Sequence, residues 1–162
     1  MDESEIVPLV AALATSLTGR GWHFATAESC TGGWIAKCCT DMAGSSAWFE
    51  RGYVTYSNEA KVEMLGVLPE TLQFHHAVSR AAVQEMAEGA RRKAGVEVAV
   101  AVTGIAGPDG GSEAKPVGTV WFAWSVAGRD TWCERVQFSG DRAGVRLATV
   151  AHALRGVLKR LS

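Results

Sequence analysis

Apolar residues recur at helical spacing from the start of the chain: Ile6, Val10, Leu13 and Leu17 share one face, with Asp2 or Ser4 as a candidate cap and Gly19 and Gly21 as a stop. His23 to Ala27 then reads as a short strand, Gly32 and Gly33 open a helix running to about Thr40, and Phe49 to Tyr56 reads as a second strand. Ser57 and Asn58 are cap candidates for a helix that contains Lys61 and closes at Gly66. A longer helix follows Ser79, with Val83, Met86, Ala87 and Ala90 on one face and Gly95 at its end. Val96 to Thr103 is short, β-branched and nearly all apolar, the pattern of a strand covered on both faces. A glycine-rich loop, Gly104 to Gly118, leads to strands Thr119 to Val126 and Thr131 to Phe138, joined as a hairpin by Ala127-Gly128-Arg129-Asp130. A last helix from about Asp141 places Leu147, Val150, Ala151, Leu154, Val157, Leu158 and Leu161 at helical spacing. Interleaved strands and helices plus one hairpin imply an α/β fold, a three-layer α/β/α sandwich around a mixed sheet, and with no repeat or linker the expectation is one domain over residues 1–162.

Composition narrows the function. The 162 residues are 48% hydrophobic, enough for a substantial core, and 16 Lys plus Arg against 17 Asp plus Glu leave a net charge of -1, without the positive field of a nucleic-acid coat. The N-terminus MDESEIVPLV lacks a basic region ahead of an apolar stretch, and the purest apolar run, Val98 to Val102, is far short of the ~20 residues that span a bilayer. A cytoplasmic chain without membrane or nucleic-acid partners is expected. Cys30, Cys38, Cys39 and Cys133 follow no disulfide framework, and no CxxC or HxxxH pair suggests zinc.

Eighteen glycines against four prolines, clustered in a few loops, mark where chemistry is expected. Three loops each follow a strand: Ala27 to Gly33, Tyr56 to Lys61, and Thr103 to Gly111. If the strands run parallel, these loops converge on one edge of the sheet, where open α/β folds bind ligands. The first puts hydroxyls at the mouth of a helix beside two glycines, which suits either a nucleophile with an anion site or an ordinary N-cap. Ser29 and the Cys30 thiol are rival nucleophiles, the thiol favoured if its pKa is depressed at that helix end.

A serine needs a base. No GxSxG elbow is present, and His23, His75, His76 and His152 lie in structural contexts. A lysine serves if the site brings its pKa from ~10.4 towards neutrality, at ~4 kcal/mol, because only about one free lysine in a few thousand is uncharged at pH 7. Lys61, in the first turn of a capped helix, has the placement, since there the helix dipole disfavours an ammonium and Tyr56 could hydrogen-bond the amine; the alternative is a merely exposed lysine flanked by Glu59 and Glu63. Lys37, inside the preceding helix, reads as a solvated surface lysine. The third loop is no Walker A motif, since no Gly-Lys-Ser/Thr follows; its backbone suits either an anion nest with Thr103 adding a hydroxyl or a flexible surface lid with Ser112 to Lys115 as its exposed tip. Arg142 opens the last helix, ready for a carboxylate or phosphate, or else for pairing with Asp141 or Glu134.

Five stretches together carry a resemblance: TAESCTGG at Thr26 to Gly33, the run from Gly44 to Lys61, TGIAGPDGG at Thr103 to Gly111, KPVGTVWFA at Lys115 to Ala123, and FSGDR at Phe138 to Arg142. The chain resembles the CinA C-terminal domain family over essentially its whole length. The resemblance implies a Ser/Lys amidohydrolase that needs no metal or cofactor and hydrolyses the carboxamide of nicotinamide mononucleotide to nicotinic acid mononucleotide and ammonia, in pyridine-nucleotide salvage. It implies Ser29 as nucleophile, Lys61 as base, and Tyr56 and Thr103 as assisting residues. Cys30, Thr31, Gly32, Gly33, Gly104, Gly107 and Arg142 are then the candidates for holding the oxyanion and the nucleotide. The rival of a different class is a nucleotide-binding regulatory module that keeps the pocket without turnover. Trp34, Trp48 and Trp132 are candidates for a homodimer surface, with core packing the alternative.

Overall fold

The computed structural model describes all of residues 1–162. Five strands, β1 (Phe24–Glu28), β2 (Phe49–Val54), β3 (Val98–Gly104), β4 (Thr119–Val126) and β5 (Trp132–Gln137), form one mixed sheet in the order β2-β1-β3-β4-β5. β1 pairs parallel with β2 and β3, whereas β3–β4 and β4–β5 are antiparallel. The C-terminal ends of β1, β2 and β3 therefore lie on one edge, and the three loops that leave them share it. The helices are α1 (Ile6–Arg20), α2 (Trp34–Thr40), α3 (Asn58–Leu65), α4 (Pro69–His75), α5 (Arg80–Ala94) and α6 (Arg142–Leu161).

Strand alternation divides the core in two. Val98, Val100 and Val102 of β3 pack with α1, α2 and α6, while Ala99 and Ala101 pack with α3, α4 and α5. The small residues on the second face let α5 lie close to the sheet. Gly89 of α5 meets α3 so closely that a Cβ there would run into the Leu65 carbonyl oxygen, so glycine is what lets α3, and Lys61 with it, lie against α5. On the other face, the Trp124 indole Nε1 donates to the Ala153 carbonyl of α6 at 3.0 Å.

The element boundaries shift in ways that have local causes. Asp2 does not cap α1 directly; it forms a capping box with Glu5 around a single 3-10 turn, Glu3–Glu5, and α1 follows. Gly21, in the left-handed region at φ 68, ends α1, and Gly19 lies within it. Ser57 rather than Asn58 caps α3, accepting from the Ala60 N–H at 3.0 Å. Helix α4 is absent from the sequence reading: at seven residues, PETLQFH is too short to display a period, although Pro69 at its first turn is a start signal. Trp48 is 2% exposed and belongs to the core, Trp34 is partly buried, and Trp132 is 50% exposed. No helix is long and apolar enough to cross a membrane.

Candidate active site

Alternation also aims the chemistry. Ser29 continues the face of β1 set by Ala25 and Ala27, and Thr103 continues that of Ala99 and Ala101, so both point to the layer that holds α3; Glu28 points the other way, to α2. The Ser29 backbone N–H still pairs with the Val102 carbonyl at 3.1 Å, which anchors the nucleophile candidate to the central strand.

Lys61 is 1% exposed, and its Nζ lies 3.0 Å from Ser29 Oγ, 2.8 Å from the Thr55 carbonyl and 3.0 Å from the Tyr56 carbonyl. A neutral amine has two N–H groups and one lone pair. Two carbonyls that can only accept take both protons and leave the lone pair for the Ser29 hydroxyl. No carboxylate lies within ion-pair distance of Lys61. Burial accordingly pushes its ammonium form down to about 8. The expected route through the helix dipole is not the main one; desolvation is. At that value about a tenth of the molecules carry the free amine at pH 7.

The site corrects two further expectations. Tyr56 takes part through its carbonyl, while its side chain is 66% exposed, so its hydroxyl does not hold the amine. Cys30 is buried and burial pushes its thiol up to about 12, the opposite of the depression an attacking thiol needs. Lys37 sits at the surface, paired with Asp41 at 2.8 Å and Glu3 at 3.4 Å. Of the histidines, His152 is engaged with Glu134 at 2.5 Å and packs among Phe122, Trp124 and Phe138.

Around the pair lies a cavity of about 260 Å³ lined by Ser29, Cys30, Tyr56, Lys61, Ala77, Val78, Thr103, Gly104, Ala106 and Arg142. Thr103 is buried and donates its hydroxyl proton to the Ala77 carbonyl at 3.1 Å, so it can only accept from a ligand. Gly104 borders the cavity where a Cβ would come within 2.9 Å of the Thr119 carbonyl oxygen. Arg142 Nη1 donates to the Gly107 carbonyl at 2.7 Å, which fixes the glycine loop to the start of α6 in place of the pairing with Asp141 or Glu134. The amides of Cys30, Thr31 and Gly33 have no backbone acceptor, whereas that of Gly32 is used by the Ser29 carbonyl at 3.1 Å.

Sequence reasoning missed the residues that hold this loop in shape. Glu28 is fully buried, and its carboxylate accepts from Thr31 Oγ1 at 2.6 Å, the Ile35 N–H at 2.9 Å and the Ala36 N–H at 3.0 Å. It thereby occupies the first-turn amides of α2 that the sequence left open to an anion. A charged residue closing a wholly buried strand was the available signal. Glu28→Gln turns an amide NH₂ towards a donor whichever way it flips, and we expect it to lower stability by about 1–3 kcal/mol, read as a fall in the denaturation midpoint at unchanged m-value. Arg146 of α6 is the second missed residue: Nε donates to the Cys30 carbonyl and Nη2 to the Thr31 carbonyl, both at 3.0 Å.

A buried serine–lysine pair at the C-terminal edge of an open α/β sheet defines a candidate serine hydrolase with a lysine base, and the CinA C-terminal domain family model matches residues 7–161: the chain belongs to that family. Its curated relatives include nicotinamide-nucleotide amidohydrolase PncC of Escherichia coli strain K12, 57% identical over 154 residues that cover 95% of this chain and 93% of the relative. The protein of the same name from Pseudomonas putida is 58% identical over 135 residues, 83% of each chain. Among solved structures, the competence/damage inducible protein CihA from Agrobacterium tumefaciens superimposes with a TM-score of 0.94 at 46% identity, covering 96% of this chain and 94% of that one.

Proposed function

We propose that this protein hydrolyses the carboxamide of nicotinamide mononucleotide, giving nicotinic acid mononucleotide and ammonia in pyridine-nucleotide salvage, in the cytoplasm, and that residues 1–162 form one amidohydrolase domain for that purpose. The observation that carries the mechanism is the Ser29–Lys61 contact, 3.0 Å long and almost closed to water. The likeness to amidohydrolases named for this substrate, at 57% and 58% identity, supports the substrate.

The free amine of Lys61 takes the Ser29 proton as Oγ bonds to the carboxamide carbon, and the carbonyl π electrons move onto oxygen. Of the amides without a backbone acceptor, that of Cys30 belongs to a residue lining the cavity and is the donor for that oxyanion. Collapse breaks the C–N bond; the Lys61 ammonium gives its proton to the departing nitrogen, which leaves as ammonia. Water then attacks the acyl-enzyme, passing a proton to the same amine, and the ester bond to Ser29 breaks with Oγ recovering a proton from Lys61. The Thr103 oxygen, already committed as a donor, accepts from the carboxamide NH₂. Arg142 and the start of α6 face the phosphate.

Incubation with nicotinamide mononucleotide tests this reading. One ammonia and one nicotinic acid mononucleotide per substrate consumed is the expected outcome. Tight binding without ammonia release would make the protein a nucleotide-binding regulatory module instead.

A further inference from the structure

Arg146 stands one helical turn beyond Arg142 and does not line the Ser29–Lys61 cavity. Its guanidinium forks across two consecutive carbonyls, those of Cys30 and Thr31, from Nε and Nη2, and it lies over the Trp34 ring at 5.3 Å. Gly32 beside it is in the left-handed region at φ 61, which favours glycine, and a Cβ there would only touch Nη2, at 3.6 Å. A trans peptide is planar, with its N–H opposite its C=O. Drawing the Cys30 carbonyl to Arg146 therefore turns the Thr31 N–H to the other side of the chain, where it has no backbone acceptor. The peptide planes between Cys30 and Thr31 and between Thr31 and Gly32 are thus set by a side chain rooted in the long helix α6, while Glu28 holds the same loop from beneath. We propose that Arg146 is a positioning residue, one that holds the Cys30 carbonyl and so fixes the residue after Ser29, which lines the cavity and whose own N–H has no backbone acceptor, for donation to the oxyanion. This rests on the amidohydrolase reading for its purpose, though not for its test.

A lysine keeps the charge and the stem but cannot span two carbonyls with a rigid fork. Arg146→Lys and Arg146→Ala should both lower kcat by about 10- to 100-fold, alike for nicotinamide mononucleotide and for its phosphate-free nucleoside, with KM little changed. The ascending limb of the pH–rate profile should stay in place, because Lys61 is untouched. Arg146 also borders a neighbouring cavity of about 690 Å³ with Pro108, Val117 and Asp141. If it bound phosphate directly, the loss would appear in KM, only for the phosphorylated substrate, and Lys would restore it; that pattern overturns the proposal, as does unchanged kcat in both variants.

A fluorophosphonate reads the same device without any assumption about substrate. Ser29 Oγ bonds to phosphorus, the P–F bond breaks, fluoride leaves, the serine proton goes to Lys61, and the phosphoryl oxygen occupies the oxyanion position. Labelling of folded Arg146→Lys, checked by far-UV circular dichroism, should slow by a factor comparable to its loss in kcat. Wild type that labels but releases no ammonia from nicotinamide mononucleotide would sink the substrate reading alone; equal labelling rates in wild type and Arg146→Lys would sink the positioning role.

Discussion

Ser29→Ala lowers ammonia release from nicotinamide mononucleotide by at least about 10³-fold, because it removes the only atom that can form the acyl-enzyme while leaving the cavity and its amides intact. Serine at this position is 7% exposed and held by its own N–H to the central strand, so the smaller alanine is accommodated without rearranging β1. Binding of the nucleotide should survive with an affinity close to that of wild type. Cys30→Ala is the internal control. A buried thiol pushed up to about 12 supplies almost no thiolate at neutral pH, so this variant should keep most of its activity. The reverse result, an active Ser29→Ala and a dead Cys30→Ala, would transfer the nucleophile to sulfur.

Lys61→Met carries a comparable loss, about 10²- to 10⁴-fold, the range spanned by a general base. Methionine fills nearly the same volume and needs no water, so burial does not oppose it, although the Thr55 and Tyr56 carbonyls lose their donors. Arg in place of Lys61 should fare no better, since a guanidinium does not give up its proton at these pH values and presents no lone pair to Ser29. Linkage supplies an independent check. The folded-state pKa of Lys61 lies below its unfolded value, so between about 8 and the ordinary lysine range the unfolded chain binds more protons and folding stability from this group rises with pH. Lys61→Met should remove that rise. A stability curve equally steep in the variant would place the titration elsewhere.

Much of this was legible in the order of residue types. The short, nearly all-apolar run of β3 announces a strand covered on both faces, and the helices between β1, β2 and β3 suit the parallel pairing that the structure supplies. Three loops after three parallel strands must then share an edge, which brings Ser29, Lys61 and Thr103 together. What could not be read was which atom of a residue does the work. Tyr56 offers a carbonyl instead of its hydroxyl because α3 turns back directly after β2, and the turn aims the backbone at Lys61. The Cys30 thiol depends on whether solvent reaches it, a property of the packing of β1 against α2 and α6 that no local pattern carries. Arg146 lies 115 residues from the Thr31 carbonyl it holds, and only the assembled sheet brings α6 over that loop. Helix α4 was lost for the opposite reason: it is local, but shorter than two periods.

A free amine on Lys61 activates Ser29, and the pH dependence of kcat/KM for ammonia release tests this most directly. With chemistry shown to limit the rate, the profile should rise through an apparent pKa near 8, well below that of free lysine, and the rise should vanish from the residual rate of Lys61→Met. A wild-type profile flat between about pH 6 and 9 under those conditions, or the same rising limb in Lys61→Met, would contradict it.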